Sequence, residues 1–178
     1  AGVYLIIARK FYWFILLIIA GTLATEKIII IFPFMAAYLF VNKISIKNSL
    51  LFISSSVIAY LILSFILRNY TPSNTVSYLW IPDSKFILQN IYRPKTYLSF
   101  IITLGIPGSI VLISLFRFSK KQIMQYSYYY IGCFTSVLLY VYSIFSAWSD
   151  GRTLWTMYPF AIPLSVLFLQ YMEKRKVN

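Results

Sequence analysis

The 178-residue chain has no histidine, one cysteine and four acidic residues. Without histidine, no imidazole can serve as base, proton shuttle or metal ligand. A lone cysteine, Cys133, forms no disulfide within the chain and cannot build a Cys/His zinc site. It lies inside an apolar run, where a small core thiol is the plain expectation. The four acids are Glu26, Asp83, Asp150 and Glu173. No two are adjacent or separated by one residue, so the chain carries no paired-carboxylate motif. A Walker-type phosphate loop is also absent. Charge of either sign is scarce: 11% of residues are charged and 60% are hydrophobic. That balance excludes an ordinary soluble domain, which could not hide so much apolar surface at this size.

What is present is a series of apolar runs: Phe11–Ala24, Ile28–Val41, Ser49–Leu67, Tyr97–Phe116, Met124–Ala147 and Leu154–Met172. A bilayer needs roughly 20 residues of apolar helix. The last four runs approach or reach that length. The first two, 14 residues each, are short for full spans and read as a helical hairpin that enters the membrane and returns. The expected fold is an all-α, polytopic transmembrane helix bundle, with a short hairpin over about 11–41 and four further spanning helices. It forms a single transmembrane domain over 1–178 with an outer loop at 68–96. The opening "AGVYLIIARK" reads as the last two turns of a helix that begins upstream, so we expect a piece of a longer protein. Its charges follow the apolar stretch, unlike those of a signal peptide.

The net charge is +12. On a soluble protein this would point to nucleic acid. Here the basic residues fall in short clusters between runs, so they set topology and no nucleic-acid partner is expected. With the C-terminal "EKRK" in the cytoplasm, ten basic residues face inward: Arg9, Lys10, Lys43, Lys47, Arg117, Lys120, Lys121, Lys174, Arg175 and Lys176. Six face outward: Lys27, Arg68, Lys85, Arg93, Lys95 and Arg152. Glu26, Asp83 and Asp150 join them on the outer side. The expected location is a multi-pass position in the plasma membrane of a prokaryote, with a cytoplasmic C-terminus.

Prolines interrupt two helices. "LGIPGS", with Gly105 and Pro107, should kink its helix, and "MYPFAIP", with Pro159 and Pro163, should bend the last one. In the outer loop, "SKFILQNIY" fits a short amphipathic helix at the interface. The aromatic residues around it also fit a belt that anchors the loop to headgroups.

Charges at the edges of apolar runs mark the candidate site, because they are costly there. Glu26 and Lys27 form either a solvated, self-paired hairpin tip or a carboxylate that orients a substrate. In "SAWSDGRTLW", Asp150 and Arg152 flank Gly151 between Trp148 and Trp155. Two readings are open: an interfacial turn with a local ion pair, or an arginine held by the aspartate and aimed at an anion. A guanidinium donates two parallel hydrogen bonds and so matches phosphate. Arg68, Lys85, Arg93 and Lys95 could add to the same positive outer cavity. A lipid phosphate at headgroup level is the natural anion for it.

Two segments carry a family resemblance. "ARKFYWFILLIIAGTLATEKIIIIFPFMAAYLFVNK" resembles a stretch of GT-C-type membrane glycosyltransferases, in which a basic turn precedes a short helix, small residues lead to a Thr/Arg-Glu pair, and a second short helix carries a proline. "SDGRTLWTMYPFAIPLSVLF" is similar to their late helix, begun by an extracytoplasmic arginine and followed by a Pro-aromatic pair, here Arg152, Pro159 and Phe160. Together they cover about half the chain. The resemblance implies transfer of a sugar, of hexosyl or mannosyl type, from a polyprenyl-phosphate carrier to a glycan, lipid or protein acceptor on the extracytoplasmic side. Basic residues would hold the carrier phosphate. The family's acidic catalytic residue lies in a first outer loop, expected upstream of Ala1, as is any divalent metal; no cofactor is expected within this chain. The alternative is a non-enzymatic membrane protein, either a transporter or an accessory subunit of a membrane complex.

Overall fold

The computed structural model describes residues 1–24, 26–70, 84–146 and 152–177, with all side chains except those of Ala24, Glu26, Lys27, Arg68, Tyr70, Ser146, Arg152, Lys176 and Val177. The described residues are helical, with no strand among them. Four helical stretches are long and apolar enough to cross a membrane: Ile46–Leu67, Pro94–Arg117, Ser127–Phe145 and Thr153–Arg175. Two shorter apolar helices, Phe11–Leu23 and Ile28–Val41, precede them. Large apolar side chains such as Phe40, Phe65, Ile106 and Phe116 point away from the protein. In the Ile46–Leu67 span only 11% of the apolar window is buried within the protein, an exposure that suits lipid and not water. The chain is a polytopic, all-α membrane protein.

It divides into two compact units, Ala1–Leu79 and Trp80–Asn178. In the first, α1 (Gly2–Ile7), α2 (Phe11–Ala24), a 3₁₀ turn (Glu26–Ile30), α3 (Ile31–Val41) and α4 (Ile46–Tyr70) follow in order. The short hairpin expected at 11–41 is α2, the 3₁₀ turn and α3. The short α1 packs against both of its legs. The Tyr38 hydroxyl on α3 donates to the Ile7 carbonyl at the end of α1, at 3.2 Å. Helix α4 runs along α2 and also touches α3. Its buried face is Phe52, Ser56, Tyr60 and Ser64, one residue per turn. Phe52 meets Phe11 and Phe14, and Tyr60 meets Phe32 edge-on. The serines keep this face narrow, which lets apolar helices approach closely in a membrane.

Helices α1 and α3 end alike. The N–H of Arg9 bonds Ile6 O and that of Lys10 bonds Leu5 O; the N–H of Lys43 bonds Phe40 O and that of Ile44 bonds Leu39 O. These are Schellman motifs, which recover the last helical carbonyls. Each needs a left-handed residue, usually glycine, yet the positions hold Arg9 (φ 54°) and Lys43 (φ 52°). A side chain there costs about 1–2 kcal/mol.

The second unit contains α5 (Ser84–Ile91), α6 (Pro94–Arg117), α7 (Lys120–Gln125), α8 (Ser127–Ser146), a 3₁₀ segment (Arg152–Met157) and α9 (Tyr158–Val177). Helices α6, α8 and α9 pack together. Ser119 caps α7 reciprocally with Gln122, and Phe118 gathers Tyr126, Phe168 and Tyr171 at the end where α6 and α9 finish. Gly132 lets α9 lie against α8: a Cβ there would stand 2.5 Å from the Phe160 ring.

Helix α6 breaks midway. Gly105 adopts φ 53°, ψ −165°, a conformation essentially reserved for glycine. Two residues on, Pro107 has no N–H, so the Thr103 carbonyl loses its intrahelical donor. The Tyr158 hydroxyl replaces it at 2.7 Å. Ser165 Oγ adds a bond to Pro107 O at 3.1 Å, and Ser109 Oγ bonds Gly105 O at 2.9 Å. The kink read from "LGIPGS" is therefore sealed by two hydroxyls of α9. In "MYPFAIP" the change of geometry falls at Met157–Tyr158, just before Pro159, where the 3₁₀ segment becomes α-helix; Pro163 lies within α9.

Candidate functional site

The sequence-derived candidates divide between the two units. Glu26 and Lys27 open the 3₁₀ turn at the tip of the α2–α3 hairpin, with their side chains outside the described set. Arg68 lies near the C-terminal end of α4, and only its backbone is described. Because Phe32, just past the tip, meets Tyr60, the tip and the C-terminal end of α4 occupy the same end of the first unit. Arg68 is two turns beyond Tyr60, roughly 12 Å along the axis.

The second unit collects Lys85, Arg93, Lys95 and the backbone of Arg152 at one end. Asn90 on α5 is 1% exposed and donates from Nδ2 to Ile144 O at 2.9 Å, which fixes α5 on the last turns of α8. The Tyr140 hydroxyl donates to Thr96 O at 2.8 Å, which sets the start of α6 beside the same stretch of α8. Arg93 is the extended residue preceding α6, Pro94 takes the first helical position, and Lys95 follows. Pro suits that position because its missing N–H has no intrahelical partner there.

The 3₁₀ segment begins at Arg152 and sinks at once: Thr153, Leu154 and Met157 are buried against α8 and α6, while Trp155 is exposed. Asp150, Gly151 and Trp148 lie outside the described residues, so the proposed Asp150–Arg152 pairing does too. Lys85 and Lys95 are exposed and Arg93 is half-buried. The first turn of α6 holds no acidic residue, so its positive dipole end adds to Arg93 and Lys95. Among the described residues this end of the unit carries cations and no carboxylate, an arrangement that suits an anion. Among the described residues no group of three His, Cys, Asp or Glu side chains could hold a metal ion.

Two features escaped sequence reading. From the sequence, "SKFILQNIY" reads as an amphipathic interfacial helix, with Asn90 not singled out. Helix α5 does form, but Asn90 faces α8, while Leu88 and Ile91 point outward. The buried Thr96 Oγ1 has no hydrogen-bond partner among the described residues, which leaves one polar atom unmatched beneath the electropositive end. Only a lone asparagine in an apolar segment hinted at the first, and nothing local signals the second. No family model, curated protein or solved structure matches the chain.

Proposed function

We propose that the protein is a membrane glycosyltransferase, or the C-terminal part of one, that uses a polyprenyl-phosphate-linked sugar on the extracytoplasmic side. The observation that carries this reading is the gathering of Lys85, Arg93, Lys95 and the start of the Arg152–Met157 segment at one end of an apolar helical unit. A polyprenyl phosphate needs both halves of that arrangement: apolar surface for the isoprenoid and fixed cations at the headgroup level. The resemblance of "SDGRTLWTMYPFAIP" supports the same assignment. Arg152 begins the helical segment that leads into Pro159 and Phe160. In the proposed reaction the basic residues bind the carrier phosphate and stabilise its charge as the glycosidic bond to it breaks. The acceptor hydroxyl attacks the sugar carbon and gives its proton to a base outside this chain.

The experiment is transfer by the full protein in membranes supplied with a polyprenyl-phosphate sugar. Arg152→Ala should abolish transfer while insertion and protein level stay normal. Normal turnover by the variant removes Arg152 from that role. One observation favours a second reading: α6 is broken midway at Gly105 and bridged by hydroxyls, as in helices that line transport sites. A transporter would show solute uptake impaired by Tyr158→Phe and no sugar transfer.

A further inference from the structure

The end of the first unit that holds the starts of α2 and α4 carries a second ligand feature, independent of the proposed transferase site. A groove of about 410 Å³ runs between α1 and α2, lined by Leu5, Trp13, Leu16, Leu17 and Lys10. Its volume is within the roughly 300–1,000 Å³ of small-ligand sites. Four lining residues are apolar and the fifth, Lys10, is the basic residue that directly precedes α2. Trp13 is 64% exposed and Leu16 55%, so the groove opens outward from the protein.

The charged end is positive from three sources. Lys10 precedes α2 and accepts its first helical bond, from Phe14 N–H, through its carbonyl. The lysine side chain has only donors and so cannot cap the N–H groups of the first turn. That turn holds no acidic residue. Arg9, one position back and exposed, stands in a left-handed conformation where glycine would fit without strain. The nearby C-terminus of α1 contributes little opposing charge, because its last carbonyls are taken up by Arg9, Lys10 and Tyr38.

We infer that this groove binds one anionic phospholipid, its phosphate at Lys10, Arg9 and the start of α2, and its acyl chain along Leu5, Trp13, Leu16 and Leu17. Charge complementarity selects the headgroup, and the outward opening admits a chain from the bilayer. The orientation read from the sequence sets this end in the cytoplasmic leaflet, where anionic lipids concentrate. Trp13 then sits at the depth that tryptophan favours.

The test uses the full protein in bilayers. Quenching of Trp13 is taken as the difference between the wild type and Trp13→Phe, with dibrominated phosphatidylglycerol or dibrominated phosphatidylcholine as the probe. The anionic probe should quench at several-fold lower mole fraction. Lys10→Gln should reduce that preference roughly fivefold, the equivalent of one basic contact with an anionic headgroup, while Lys10→Arg keeps it. Equal quenching by both probes would mean ordinary annular lipid and overturn the site. Absence of quenching by either would mean that protein covers the groove, and overturns it as well. Native mass spectrometry of the wild type gives a check that needs no variant: phosphatidylglycerol should be retained where phosphatidylcholine is lost, and equal loss counts against the proposal.

Discussion

Pro107 removes one hydrogen-bond donor from the middle of α6, and Tyr158 restores it from another helix. In lipid no water can make good a lost bond, so the replacement must come from protein. Tyr158→Phe should therefore lower stability, by about 0.6–1.7 kcal/mol on the scale measured for hydrogen bonds between membrane helices. A double-mutant cycle with Pro107→Ala checks the cause. Alanine returns the N–H, so Tyr158→Phe should cost less in that background. Gly105→Ala should be worse than either, because of its left-handed φ and because a Cβ would stand 3.2 Å from the Tyr158 hydroxyl. Backbone strain of this kind costs roughly 1–3 kcal/mol. Gly132→Ala tests packing without strain: it should destabilise by about 1–3 kcal/mol through the clash with Phe160, and Phe160→Leu should recover part of the loss. Unfolding in detergent measures all of these.

At the scale of elements, the four long apolar runs fall mainly in α4, α6, α8 and α9, with Met124 and Gln125 in α7 and residues 154–157 in the 3₁₀ segment, and the two short runs form the legs of a hairpin, because bilayer thickness constrains run length. The Gly-Ile-Pro break was legible for the same kind of reason: Pro107 and Gly105 act through their own backbone chemistry. The seating of α1 against both hairpin legs was not legible, since it depends on which helices meet. Nor were the left-handed Arg9 and Lys43, where local preference favours glycine. The inward turn of Asn90 was missed because amphipathic periodicity alone would send an asparagine outward. For the candidate site, sequence marked the basic residues, and contacts through Asn90 and Tyr140 brought three of them to the same end as the Arg152 backbone. Helix α5 hangs on Asn90 in particular. Asn90→Leu removes its bond to Ile144 O, so amide exchange over residues 84–91 should rise while exchange in α6, α8 and α9 stays nearly unchanged.

For the whole molecule, the basic residues sort by end within each unit. Arg9, Lys10, Lys43 and Lys47 lie where α1 and α3 finish and α2 and α4 begin. Arg117, Lys120 and Lys121 lie with Lys174 and Arg175 near the Phe118 cluster. The opposite end of the second unit holds Lys85, Arg93, Lys95 and Arg152. Labelling single cysteines in a Cys133→Ala background reads this directly. A cysteine at position 95 should react with a membrane-impermeant reagent in intact cells, and cysteines at 43 and 121 only after permeabilisation.

The proposed transferase function requires the basic end of the second unit to recognise a lipid-linked phosphate. Its most direct test is the thermal unfolding of purified full protein with a polyprenyl phosphate, compared with the polyprenol of the same length. A ligand at a hundred times its Kd stabilises by about 2.7 kcal/mol. The phosphate form should raise the unfolding midpoint of the wild type, the alcohol should raise it far less, and Arg152→Ala should erase the difference. An equal shift from both lipids, or a shift that survives Arg152→Ala, would contradict the account.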